Sequence, residues 1–210
     1  MNLLTDPFLS VLQDQQLRSV GLQDILCTND DYQIAFPRDD MEMAALQLLI
    51  SLTQVLFLPP DDDTLKRRLK SPLSVEEYRE AITNYRDWFE LDHPTTPFMQ
   101  TRGIKAKDVT PIQKLFIGLP EGNNHAFFNN EGEIRAVCGG CTAVALFHQA
   151  NNCPSFGGGF KGSLRGSAPV TTLIDAATLR RCIWENVLTR TTLATSLTWL
   201  DESTAEEAPV

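Results

Sequence analysis

The longest apolar run, Met41 to Leu58, is broken by Glu42, Gln47, Ser51, Thr53 and Gln54. Those interruptions mark a helix with one buried face rather than a membrane span. Pro37 precedes it, and Asp39–Asp40 complement the exposed N–H groups of its first turn. Pro59–Pro60 and Asp61–Asp63 end it in a polar loop, where the three acids read as a solvated loop and helix start rather than a metal site. Upstream, Leu3–Leu12 and Gln16–Val20 read as short strands around a turn at Gln13–Gln15. Leu22–Leu26 reads as a helical turn, and Tyr32–Phe36 alternates like a strand.

Further along, Ser74-Val-Glu-Glu77 is a capping box, with Leu73 and Tyr78 spaced as a hydrophobic staple. It opens a helix expected to reach about Leu91, stopped by Asp92-His-Pro-Thr-Thr-Pro97. His93, in a turn before a proline, reads as structural. Thr110-Pro111 pairs an N-cap with proline at the first helical position, for a short helix ending near Gly118. Leu119–Glu133 is polar and rich in Gly and Asn, a mobile loop by composition. Ile134–Val137 and Val170–Ile174 read as strands, and Thr142–Ala150 as a helix with Val144, Leu146 and Phe147 on its apolar face. His148 sits there as a satisfied helix residue. Cys153–Gly166 is a long loop, and Asp175 caps a last helix from Ala176 to about Leu188, where Cys182 and Trp184 are packing residues. No internal repeat is visible. The pattern is α/β (α+β): an irregular mixed domain over residues 1–197, with short strands, several helices and long functional loops. Residues 198–210 form an acidic tail too poor in apolar residues to stay ordered.

Composition adds limits. The 210 residues suffice for one sizeable core, and 42% hydrophobic with 21% charged residues is ordinary for a soluble globular protein. A net charge of −9 argues against nucleic-acid binding by bulk charge and leaves room for a local basic patch. The start MNLLTDPF carries no basic segment of a secretion signal. The five cysteines are therefore expected as reduced thiols or metal ligands, not as a disulfide framework.

Against that charge, the window from Ile134 to Ile174 contains no Asp or Glu. It lies mostly within Asn124–Arg165, which also holds Phe127–Phe128, Cys138-Gly-Gly-Cys141, the triplet Gly157–Gly159, and the bases Lys161 and Arg165. Phe127 or Phe128 either pins its loop or stacks on a partner such as a base. The Cys-x-x-Cys has three readings: half of a zinc knuckle, a redox dithiol at a helix start, or a buried pair. No second Cys-x-x-Cys is present, the βαβ order of a thioredoxin is missing upstream, and the metal reading is favoured over the redox one. Gly157-Gly-Gly-Phe-Lys-Gly162 matches G-x-G-x-x-G only literally, because a loop precedes it and Pro169 follows closely. Three glycines do let a backbone approach a partner closely, with Lys161 and Arg165 available to phosphates. The rival is a tight structural loop. No nucleophilic triad or catalytic acid pair is apparent, so no enzyme is expected.

Along nearly the whole chain, a set of segments resembles the CasA family, the large subunit of the type I-E CRISPR surveillance complex Cascade. They are Asn2-Leu-Leu, Phe36-Pro-Arg-Asp-Asp-Met-Glu-Met-Ala-Ala-Leu46, His93-Pro-Thr-Thr-Pro-Phe-Met-Gln100 and Lys105-Ala-Lys-Asp-Val-Thr-Pro111. They continue with Cys138-Gly-Gly-Cys-Thr-Ala-Val-Ala-Leu-Phe147, Phe156-Gly-Gly-Gly-Phe-Lys161, Leu164-Arg-Gly166 and Pro169-Val-Thr-Thr172. The resemblance implies a non-enzymatic, cytoplasmic subunit in prokaryotic antiviral defence, with no membrane association. Such a subunit reads the protospacer-adjacent motif of target duplex DNA, helps open the duplex for the guide RNA, contacts other Cascade subunits and recruits a helicase–nuclease effector. Gly157, Gly158 and Gly159, with Lys161 and Arg165 nearby, fall on the DNA-reading loop. Phe127, Asn129 and Asn130 fall on the segment that meets the guide's 5′ handle and neighbouring subunits. Cys138 and Cys141 match one half of a four-cysteine zinc site. Two departures stand out: Ser155 replaces a glycine of the family pattern, and the sequence ends at Val210, before the second cysteine pair and the family's C-terminal helical bundle. Zinc is accordingly expected to be incomplete in this chain. The rivals left open are a thiol oxidoreductase and a pure assembly module.

Overall fold

The structure is a computed structural model describing residues 1–105, 110–119, 132–153, 163–165 and 170–196. Leu9–Gln13 (β1) and Gln16–Val20 (β2) pair antiparallel, with Leu9 opposite Val20 and Gln13 opposite Gln16. Asp14 and Gln15 take φ of 51° and 62°, the sign a tight two-residue hairpin needs at both central positions. Gln33–Ile34 (β3) adds to the other edge of β1, giving the order β2-β1-β3. The strands expected at Leu3–Leu12 and Tyr32–Phe36 are thus shorter. Asn2 folds the first residues into a turn by accepting the Leu4 N–H at 3.0 Å and, through its carbonyl, that of Asp6 at 2.9 Å. Pro7 then has no N–H to give a ladder.

One core fills the described residues. Helix α1 (Leu22–Cys27) buries Leu22, Ile25 and Leu26. Helix α2 (Asp39–Leu56) buries Ala44, Ala45, Leu48, Leu49 and Leu52 along one face, as its spacing requires. Asp61 accepts the Thr64 N–H at 2.7 Å and opens α3 (Asp62–Lys70), so the three acids form a helix start as well as a loop. The capping box holds by half. Ser74 Oγ accepts the Glu77 N–H at 3.1 Å, while the Glu77 carboxylate turns away to Arg68. Leu73 and Tyr78 are both buried, and the Tyr78 hydroxyl donates to the Leu4 carbonyl at 2.8 Å. The helix so started, α4 (Val75–Ile82), stops well before Leu91 and gives way to a 3-10 turn at Arg86–Phe89. The turn after it uses His93 structurally, its Nδ1 accepting the Thr96 N–H at 3.0 Å.

Pro111 and Ile112–Leu115 make a single 3-10 turn without a side-chain cap, shorter than expected. Helix α5 (Gly139–Asn152) packs on α2 and buries Ala143, Val144 and Phe147. Residues 134–137 and 170–174, expected as strands, form none, and one N–H of each meets a side chain instead. Gln113 Oε1 accepts the Ile134 N–H at 3.2 Å, and Asn186 Oδ1 that of Ile174 at 2.8 Å. The last expected helix is shorter, α6 (Leu179–Glu185), capped by Thr178 rather than Asp175, and a further helix the sequence did not indicate, α7 (Arg190–Ser196), follows it. Cys182 and Trp184 are buried, as expected of packing residues. Among the described residues no helix is long and apolar enough to cross a membrane. The acidic tail expected at 198–210 lies outside the described residues.

Candidate nucleic-acid interface

Helix α5 organises the Cys-x-x-Cys at one end and a polar network at the other. Cys138 is its N-cap, with Sγ accepting the Cys141 N–H at 3.4 Å. That hydrogen bond draws the Cys138 thiol below its ordinary pKa, whereas burial pushes Cys141 up to about 11. Of the two glycines between them, Gly140 has a packing reason. A methyl on Gly140 would run into the carbonyl oxygen of Phe8, and one on Gly139 would meet only the flexible end of Met1, its Sδ at 2.7 Å. Both cysteines border an apolar pocket of about 240 Å³ that also takes in Phe36, Met41 and Phe116.

Two thiols with lone pairs at a helix start suit half of a tetrahedral zinc site. Among the described residues no third Cys, His, Asp or Glu joins them, so these residues do not hold a metal by themselves. Cys27, Cys153 and Cys182 are free thiols elsewhere in the fold.

The network lies between α2 and the C-terminal half of α5. Arg38 grips Asp40 with two parallel bonds of 2.9 and 2.7 Å and also donates to the Ile117 carbonyl at 2.8 Å. Asp40 Oδ2 lies 3.3 Å from His148 Nε2, and His148 Nδ1 lies 3.0 Å from Asn152 Nδ2. Asn152 donates to Gln47 Oε1 at 2.9 Å. The Arg38 guanidinium, chiefly by hydrogen bonding, holds the Asp40 carboxyl below the usual range. Burial lowers the His148 pKa, and Asp40 opposes that only in part. The imidazole is therefore neutral at pH 7, donating from Nε2 and accepting at Nδ1. His148 is a satisfied helix residue, as its position implied.

This network ties down the flanks of two segments. Before residues 120–131, Ile117 is held by Arg38, and Gln149 donates to the Lys114 carbonyl at 2.6 Å. After 154–162, the Leu164 N–H bonds to the Ala150 carbonyl at 2.8 Å. Arg165 donates to the Val170 carbonyl at 2.9 Å, to Thr171 Oγ1 at 2.7 Å and to Asn152 Oδ1 at 3.5 Å. Its guanidinium thus ties Asn152 to Val170 and Thr171 while the side chain stays exposed. Of the residues singled out from sequence, Phe127, Phe128, Asn129, Asn130, Ser155, Gly157, Gly158, Gly159 and Lys161 lie outside the described residues. Sequence reasoning missed Arg38, Asp40 and Asn152. The first two stand in the Phe36–Leu46 segment, where only the helix was apparent.

The family model described as CRISPR-associated protein Cse1 matches residues 2–210. A curated relative from Thermus thermophilus, "CRISPR-associated protein CasA/Cse1", is 28% identical over 155 residues, covering 71% of this chain and 31% of its own length. The crystal structure of Thermobifida fusca Cse1 superposes with a TM-score of 0.68 at 20% identity, over 90% of this chain and 39% of that one. Cse1 from Acidimicrobium ferrooxidans gives 0.66 at 18% identity, over 91% and 39%. A chain of a structure titled "CRISPR RNA-guided surveillance complex" gives 0.58 at 18% identity, over 79% of this chain and 37% of that one. The chain spans about a third of the length of the curated relative and under two fifths of these solved chains. These likenesses establish the mixed α/β fold.

Proposed function

Because the chain belongs to the Cse1 family, we propose that it acts as a non-catalytic subunit of an RNA-guided Cascade surveillance complex and reads the motif flanking a target in duplex DNA. The observation that carries this is the shared anchorage of two segments. Residues 120–131 contain the aromatic and asparagine positions expected to meet the guide RNA handle, and 154–162 contain the glycine triplet expected to meet DNA. Both are flanked by residues tied to the Arg38–Asp40–His148–Asn152 network. A rigid base under two recognition segments fixes the geometry between guide and target.

In this reading Gly157, Gly158 and Gly159 admit the backbone to the minor groove, which tolerates little bulk. Lys161 meets a phosphate, and Arg165 braces the segment while presenting its outer face to the backbone. Phe127 stacks on a base of the handle, with Asn129 and Asn130 beside it. Base pairing with the guide selects the target, while protein reads the flanking motif, a division of labour that other RNA-guided systems share. Cys138 and Cys141 would supply two of four zinc thiolates, and Cys27, Cys153 and Cys182, elsewhere in the fold, supply none. Duplex opening, helicase–nuclease recruitment and a cytoplasmic setting complete the proposal.

A gel-shift titration tests it: the chain is added to guide-loaded Cascade lacking its large subunit, then to target duplex with a correct or scrambled flanking motif. Tighter binding only with the correct motif supports the proposal. Incorporation without motif preference would reduce the chain to an assembly module. One observation favours a second reading, since an exposed Cys138 with a lowered pKa at a helix start is also what a dithiol oxidoreductase needs. Disulfide-reductase activity of the isolated chain would establish that reading.

A further inference from the structure

Helices α3 and α6 face each other across a pocket of about 550 Å³ on the fold's surface. Four cations line it: Lys66 and Lys70, one turn apart on α3, and Arg180 and Arg181 on α6. Among its lining residues only Asp30 is acidic, and its carboxylate accepts the Tyr32 hydroxyl at 3.1 Å. In a chain of net charge −9 this is an unusual concentration of positive charge.

Arg180 is the distinctive member. It is 7% exposed, yet among the described residues it meets no carboxylate. Its Nη1 donates to the Arg68 carbonyl at 2.5 Å and its Nη2 to Asn29 Oδ1 at 3.4 Å, both neutral acceptors. A buried guanidinium without a counter-charge is costly. Burial, and then the neighbouring Arg181, push its pKa below the ordinary value, yet arginine keeps its proton. Nearby ion pairs leave that charge unbalanced. Lys66 pairs with Asp63 at 3.2 Å across an exposed contact, and Arg181 with Glu185 at 3.0 Å along its own helix. Lys70 has no acidic partner among the described residues.

We propose that this pocket binds the phosphodiester backbone of nucleic acid, with Arg180 at its floor and Lys66, Lys70 and Arg181 on its rim. A planar guanidinium suits phosphate oxygens, and cations spread over two helices suit successive phosphates better than a single carboxylate. The choice of nucleic acid rests on the proposed function above. The site itself reads no sequence, since phosphate contacts position without specifying.

The test is fluorescence anisotropy of labelled duplex DNA with the intact chain across a salt series. Lys70→Gln combined with Arg181→Gln removes two exposed cations without touching the buried one. The expected result is roughly tenfold weaker binding and a slope of log affinity against log salt shallower by about two. Correct and scrambled motifs should be affected equally. Arg180→Gln should weaken binding further, with circular dichroism to confirm that it folds. Unchanged affinity and slope in the double variant would overturn the proposal, as would failure of the wild-type chain to bind DNA at low salt. Polyglutamate competing as well as DNA would make this a surface for an acidic protein instead. Inorganic phosphate binding as tightly as DNA would make it a free-phosphate site. Loss of motif preference without a change in salt slope would count against the proposed function, not against this pocket.

Discussion

At the level of single residues, the two glycines of the Cys-x-x-Cys differ in what surrounds them. Alanine within a helix gains about 0.5–1 kcal/mol over glycine from backbone entropy. At Gly139 the added methyl meets only the movable Met1 side chain, so Gly139→Ala should be close to neutral. At Gly140 it strikes the Phe8 backbone, which cannot yield cheaply, and overpacking of about 1–3 kcal/mol outweighs the helical gain. Urea denaturation of both variants checks the order, and a Gly140→Ala chain as stable as wild type would refute the close approach. The thiols differ as well. With Cys138 drawn below its ordinary pKa and Cys141 raised to about 11, a pulse of iodoacetamide near pH 8 should label Cys138 well ahead of Cys141. Peptide mass spectrometry reads the two rates, and equal labelling would contradict the assigned hydrogen bond. The sequence placed the cysteines before a helix, but not the reason for the glycines between them. For Gly140 that reason is contact with the Phe8 backbone far upstream, which no local pattern encodes.

At the level of elements, local rules succeeded where a signal lay within one turn and failed where a distant partner decided. The helix at Asp39–Leu56 and the start of α4 were legible because period and cap are local. The expected strands at 134–137 and 170–174 have strand-like residues but join no sheet, and Gln113 and Asn186 take the Ile134 and Ile174 N–H groups instead. The helix expected to run to about Leu188 ends at Glu185, and Gln54 of α2 holds Leu188 by both its N–H, at 2.7 Å, and its carbonyl, at 3.0 Å. The half-formed capping box gives a measurable division. Ser74→Ala removes the acceptor of the Glu77 N–H and should cost about 1 kcal/mol. Glu77→Gln leaves that cap intact and weakens only the pair with Arg68. Its effect should therefore shrink with added salt, whereas that of Ser74→Ala should not. Equal salt sensitivity of the two variants would reject this division.

At the level of the whole molecule, the Arg38–Asp40–His148–Asn152 network joins the two longest helices to the flanks of both proposed recognition segments, and His148 makes it sensitive to pH. An unfolded histidine takes up a proton near pH 6.5, but burial lowers the pKa of folded His148. Below pH 6.5 the unfolded chain therefore binds more protons than the folded one, and this group's contribution is lost as pH falls toward the folded pKa. Asp40 follows at lower pH. Its contribution is present above its unfolded pKa, near 3.8, and is lost as pH falls through the depressed folded value. Stability of the wild-type chain should thus decline in two stages on acidification, and His148→Gln should remove the first. A decline of the same slope in that variant would place the titrating group elsewhere. Asp40→Asn takes the charge from the centre at pH 7 and should cost about 1–2 kcal/mol, since the pair with Arg38 is partly screened by solvent. The sharper consequence concerns coupling. If one network holds both flanks, amide exchange at Leu164 and in Lys114–Gly118 should accelerate together in Asp40→Asn, though neither stretch bonds directly to that carboxylate. Acceleration at Lys114–Gly118 alone would mean that Arg38 serves only its own side. The two proposed recognition segments would then stand on separate supports, and a common rigid base could no longer be what sets the distance between them.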